Sequence, residues 1–174
     1  MGEGKAEQLR VGFDARVRLE FVGSRITSDA GLLAYRELDE QLGLTARADQ
    51  FLTEQRRGRN VQHELAPLLR QSVYSRLAGY PDTNDADRLA RDPAMRLVVS
   101  RRASGKLAAA RNTVGRFETD ILAAEGNRAR LAALNVAWVA AAMAHAKTRR
   151  LILDLDSSES PVHGQQEGAK YNGH

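Results

Sequence analysis

Leu151-Ile152-Leu153-Asp154-Leu155-Asp156-Ser157-Ser158 sets an apolar run against two carboxylates at i and i+2. Side chains alternate along a strand, so both acids fall on one side, and the apolar neighbours predict a buried strand ending in acids. Carboxylates in such a setting need a partner. Hard oxygen ligands at a strand end suit a divalent cation such as Mg²⁺, with waters or phosphate oxygens in the remaining positions, which points to phosphoryl chemistry. The alternative is an exposed strand end whose acids pair with Arg149 or Arg150, the cations just before the run.

Downstream, residues 157 to 174 are rich in Ser, Gly, Gln, Pro and Asn, so this tail reads as a loop or an unfinished hairpin. Upstream, Asn127 to Lys147 predicts the longest helix, with Leu131, Leu134, Trp138 and Ala142 on one stripe and alanines around it. Trp138 on that stripe is a core residue rather than a base-stacking platform, and His145 is read the same way.

Further back the punctuation is helical. Ser28-Asp29 precedes a helix carrying Leu32, Leu33, Tyr35, Leu38 and Leu42 on one face and ending at Gly43. A second helix spans Gln62 to Leu77, with Leu65, Leu68, Leu69, Val73 and Leu77 inward, Pro67 tolerated near its start and Gly79 closing it. Two short helices follow, one capped by Asn84 or Asp85 and running through Leu89, the other opened by Asp92-Pro93. Residues 16 to 22, Arg-Val-Arg-Leu-Glu-Phe-Val, alternate as a short half-buried strand does.

Residues 100 to 116 carry Arg101, Arg102, Lys106, Arg111 and Arg116 and no acid, ahead of a helix capped by Asn112 or Thr113. This is a candidate phosphate-contacting patch, with Thr113 and Arg116 near a helix start where backbone N–H groups also favour an anion. The plainer reading is a solvated basic loop. Tyr80 and Tyr171 offer rings for base stacking or for packing, and His163 a contact or a turn.

Composition fits this picture. The 174 residues suffice for one domain, and 43% hydrophobic with 28% charged residues is the balance of a globular chain. The net charge is +4 and the pI about 9.8, with 22 Arg against 4 Lys, which favours a polyanionic partner or reflects codon bias. The absence of cysteine excludes disulfides, thiolate zinc sites and cysteine nucleophiles, and the histidines at 63, 145, 163 and 174 lack metal-type spacing. With no signal-like N-terminus and no membrane-length apolar run, the expected location is cytoplasmic and nucleoid-associated, with no membrane partner.

The run Leu153 to Ser158, followed by Val162-His163-Gly164-Gln165-Gln166-Glu167-Gly168-Ala169 and Tyr171-Asn172-Gly173, resembles the first catalytic strand of the insertion-sequence DDE transposases, group 1. Gly79-Tyr80-Pro81-Asp82, Asn84 to Leu89, Asp92-Pro93-Ala94 and Thr113 to Glu118 resemble that family's helical N-terminal region, so the likeness spans about Arg18 to Gly173. The resemblance implies a mainly α chain: an N-terminal strand or arm over 1–24, a helical DNA-binding region over 25–148, and over 149–174 the first strand or strands of an incomplete RNase H-like α/β domain. It implies Mg²⁺ or Mn²⁺ held by three carboxylates that cleave and transfer DNA strands at the element's terminal inverted repeats. Asp156 matches the first acid, ahead of Ser157-Ser158 where the family more often has threonine at the second position, and Asp154 is the second candidate. The second Asp and the Glu of the triad fall well downstream in the family, and Glu167 is too near to serve, so the expectation is a fragment with no strand transfer of its own. A homodimer is left open. The rivals are a non-catalytic DNA-binding remnant and a haloacid-dehalogenase-type phosphatase, in which Asp154 would be nucleophile and Asp156 general acid and base. The phosphatase motif normally opens a chain, against its position here.

Overall fold

The computed structural model describes residues 9–19, 29–54, 56, 61–100 and 107–154. The described part is mainly helical. A hairpin of two short antiparallel strands, β1 (Leu9–Arg10) and β2 (Arg18–Leu19), comes first, in register Leu9 with Leu19 and Arg10 with Arg18. Then come α1 (Leu32–Leu42), a 3-10 turn (Thr45–Arg47), α2 (Ala48–Phe51), α3 (Leu65–Leu77), α4 (Ala86–Leu89), α5 (Pro93–Val99) and α6 (Arg111–Arg116). A π turn over Phe117–Leu122 continues α6, and α7 (Glu125–His145) closes the described helical part.

Several sequence signals act as expected. Gly43 ends α1 at φ 70° with its N–H donating to the Asp39 carbonyl at 2.7 Å, a left-handed turn that glycine enters without a Cβ clash. The Asp92 carboxylate accepts from Met95 N–H at 2.9 Å, with Pro93 at the first helical position. Pro67 lies in the first turn of α3.

The central helix is α3, which shares two apolar clusters. Leu65, Leu68 and Leu69 join Ala48, Leu52, Phe117, Ile121 and Leu134 in one. Tyr74 joins Val11, Val17, Leu32, Leu33, Leu89, Met95 and Val98 in the other.

The polar interior departs from the apolar periodicity. In α1 the buried stripe is Leu32, Leu33, Arg36 and Asp39, while Tyr35 and Leu38 are 47% and 48% exposed. Both sets follow helical spacing, and a polar network, not hydrophobicity, decides which one turns inward. Asp39 accepts from Thr45 N–H at 2.9 Å, from the Thr45 hydroxyl, and from Tyr74 Oη at 2.9 Å, and it pairs with Arg70 at 3.5 Å. Arg70 Nε donates to Thr45 Oγ1 at 2.7 Å. Burial, then the Asp39 charge and hydrogen bond, pushes the Tyr74 phenol above its ordinary range. Arg36 is buried beside this network, pairs with Glu40 and lies 5.1 Å from the centre of the Phe13 ring. The Glu37 carboxylate accepts from Gly12 and Phe13 N–H at 2.8 and 3.2 Å, which fastens the hairpin tip to α1.

Trp138 is half-buried on α7, which buries only Asn127 and Leu134 fully. Asn127 anchors the start of that helix: its Nδ2 donates to the carbonyls of Thr53 and Ile121, both at 2.9 Å, and its Oδ1 accepts from Thr53 N–H at 2.8 Å.

Candidate nucleic-acid interface and acidic strand

The approach to α6 is pinned at three points. Ala108 N–H donates to the Ala90 carbonyl at 3.1 Å. The buried Gln71 carboxamide acts as a surrogate peptide unit, donating to Ala109 O at 2.6 Å and accepting from Ala109 N–H at 2.8 Å. Arg111 N–H donates to Asp87 Oδ1 at 3.0 Å.

That last bond corrects one expectation. The helix start foreseen as a phosphate site already holds a carboxylate, and the Thr113 and Val114 N–H groups donate to the Ala110 carbonyl at 2.9 and 3.0 Å. Nor do Asn112 or Thr113 cap the helix, because Ala110 occupies the cap position and both residues lie within α6. Val114 and Phe117 turn inward and Thr113 is half-buried, while Arg111 and Arg116 are exposed with no ion pair among the described residues. Arg101, Arg102 and Lys106 lie outside the described residues. Their neighbours Ser100 and Leu107 line a cavity of about 790 Å³, together with Phe13, Glu40, His63 and Arg96.

The π turn is locked to α3 by charge. Arg76 reaches both oxygens of Glu118, at 2.8 and 3.1 Å, and Ser72 Oγ donates to Oε1 at 2.7 Å. Burial pushes the Glu118 carboxyl up, but the hydrogen bonds from Arg76 and Ser72 and the Arg76 charge together leave it below its ordinary value. A depressed carboxyl stabilises the fold fully above its unfolded-state pKa of 4.5, and the contribution is lost as pH falls through the folded value. Urea midpoints measured from pH 7 down to acid should therefore fall more steeply for the parent chain than for Glu118→Gln. With both partners partly exposed the difference is about 0.5–1 kcal/mol, and parallel curves would remove the assignment.

The acidic strand also differs from expectation. Leu151, Ile152 and Leu153 are 52%, 75% and 74% exposed, Asp154 is exposed, and residues 151–154 pair with no strand among the described residues. The apolar run therefore stands open here, without the burial that its residue types predict. Asp154 forms no ion pair with Arg149 or Arg150. Asp156 and residues to His174, with Glu167, His163 and Tyr171, lie outside the described residues. The carboxylate of Asp154 suits a hard divalent cation in kind, but among the described residues no group of three or more His, Cys, Asp or Glu could hold a metal. Tyr80 is packed: its hydroxyl is 3.5 Å from both Asp29 oxygens and Arg88 lies 4.9 Å from the ring centre.

A family model described as transposase DDE domain, group 1, matches residues 9–174. The chain belongs to that family. No curated protein and no solved structure matches it. The transposase family acts on DNA and generally uses a divalent metal. Among the described residues of this DDE transposase chain, no helix is long and apolar enough to cross a membrane.

Sequence reasoning missed Gln71 and Asp87, which position the start of α6, because a polar side chain bonded to distant backbone leaves no periodic trace. It also passed over the acid-free stretch 126–153, longer than 100–116, which the sequence does display.

Proposed function

We propose that the helical body of this transposase chain binds the DNA ends of its element, the terminal inverted repeats. Residues 101–116 meet the backbone through Arg101, Arg102, Lys106, Arg111 and Arg116, with Thr113 beside them. The observation that carries this reading is the unpaired, exposed state of Arg111 and Arg116 on a helix whose entry is fixed by Gln71, Ala90 and Asp87. Exposed guanidinium groups that form no ion pair among the described residues are suited to phosphate, since contact releases counterions.

In the same reading, residues 149–174 open an RNase H-like sheet, and Asp156, with Asp154 as the alternative, is the first carboxylate ligand of Mg²⁺ or Mn²⁺. The metal would supply activation of water or a 3′-hydroxyl and charge neutralisation at the phosphate. That chemistry takes three carboxylates in the family, and residues 149–174, with one matched acid, are expected to contribute to it without cutting DNA by themselves.

The test is fluorescence-anisotropy titration of a duplex bearing the terminal repeat, between about 50 and 200 mM salt. Affinity falls as salt rises, and the log–log slope becomes shallower by about one for each of Arg111→Ala and Arg116→Ala. Absence of binding at low salt, or a slope untouched by both substitutions, would overturn the proposal. Incubation with Mg²⁺ should leave the duplex intact.

A further inference from the structure

The end of α7 carries a second cationic group that the reading above leaves unused. His145, Lys147, Arg149 and Arg150 are all exposed, and none forms an ion pair among the described residues. No acid lies between Glu125 and Asp154 in the sequence, so nothing nearby along the chain neutralises them.

Their placement is fixed by backbone bonding. The helix terminates in a left-handed turn in which Lys147 N–H donates to Ala144 O at 3.2 Å and Thr148 N–H donates to Met143 O at 3.0 Å. Lys147 adopts φ 52°, the one non-glycine residue with positive φ among those described. A lysine at a position where glycine would be unstrained makes its charge the feature to explain. Beyond it, Thr148 Oγ1 donates to Arg150 O at 3.2 Å and accepts from Arg150 N–H at 3.5 Å, which closes a tight local turn around Arg149. Cations in the last turn also favour the negative end of a helix dipole, but that attraction fades within a turn and does not account for Arg149 and Arg150.

We propose that Lys147, Arg149 and Arg150 form a second phosphate-contacting surface, which holds the DNA backbone beside the segment that begins with Asp154. Asp154 lies four positions after Arg150, at most about 14 Å of extended chain. Phosphates held there therefore lie within about four nucleotides' rise of that acid along one strand. The surface at 101–116 would grip the flanking duplex, and this one the segment nearest the acids. The inference rests on DNA being the ligand of the helical body.

The experiment compares the parent chain, R111A/R116A, R149A/R150A and R149K/R150K in the same anisotropy titration, with thermal unfolding followed by circular dichroism. R149A/R150A is expected to weaken binding roughly ten-fold near 0.1 M salt and to lower the slope by about two, with the unfolding midpoint unchanged, while R149K/R150K keeps the parent slope. If the parent chain binds and R149A/R150A matches it in affinity and slope, this inference fails and the surface at 101–116 stands. A lowered midpoint with unaltered binding also overturns it, assigning the cations to helix termination. If the parent chain does not bind at low salt, the functional reading itself fails, and this inference with it.

Discussion

Asp39→Ala should cost the fold about 3–5 kcal/mol, the loss expected when one partner is taken from a buried ion pair. The carboxylate is 7% exposed and is the shared acceptor of Thr45 N–H, Thr45 Oγ1 and Tyr74 Oη, as well as the charge facing Arg70. Its removal leaves Arg70, 4% exposed, without its ion-pair partner, and unties α1 from the turn that follows it and from α3. Thermal unfolding should fall by on the order of 10 °C. Tyr74→Phe, which deletes one hydroxyl bond from the same group, should cost only about 1 kcal/mol. Urea denaturation of the two variants decides the matter. A loss below about 1 kcal/mol for Asp39→Ala would show that Arg70 is balanced by another group.

Phe117→Ala is expected to cost a similar amount, about 3–5 kcal/mol, for a different reason. The ring is 1% exposed where α3, the π turn and α7 converge, among Leu68, Leu69, Val114, Ile121 and Leu134. Deletion removes the transfer energy of the ring and leaves a void that a crowded corner closes poorly. The loss also reaches the surface proposed to meet DNA: Val114 on α6 and Phe117 just after it are buried, and Arg111 and Arg116 lie on the same helix. A variant still folded in the cold should therefore bind DNA less tightly than Arg111 and Arg116, both retained, would suggest. A stability loss under about 1.5 kcal/mol would mean that the π turn repacks around the gap.

The parts of the fold legible in the sequence are those written in local chemistry. Gly43, Gly79, Asp92-Pro93 and the early Pro67 mark helix ends and starts because a φ value or a missing N–H constrains them wherever they stand. Tyr35 and Leu38 were expected inside and stand outside, because Arg36 and Asp39 are drawn in by partners on other elements, Phe13 and Thr45 among them. Periodicity weighs a residue by its own polarity and cannot see a partner 25 or more positions away, such as Glu118 for Ser72 or Ala109 for Gln71. The same limit applies to the acids. The run from Leu151 to Asp156 names its chemistry through residue types, but burial depends on what packs beside it, which residue types do not reveal.

The π turn has a consequence for how this chain tolerates change in length. Ala123 N–H donates to the Glu118 carbonyl at 2.9 Å, five residues back, so the turn contains one residue more than an α-helical turn closed four residues back. Elsewhere in the helical body, losing a residue would swing everything after it around the helix axis by about a quarter of a turn and pull buried side chains out of the core. Between Phe117 and Leu122 the same deletion can be absorbed by tightening the turn to ordinary helical bonding, with the flanks left in phase. Single-residue deletions that fall within helices among relatives of this protein should thus be found at this turn, while the helices around it keep their length.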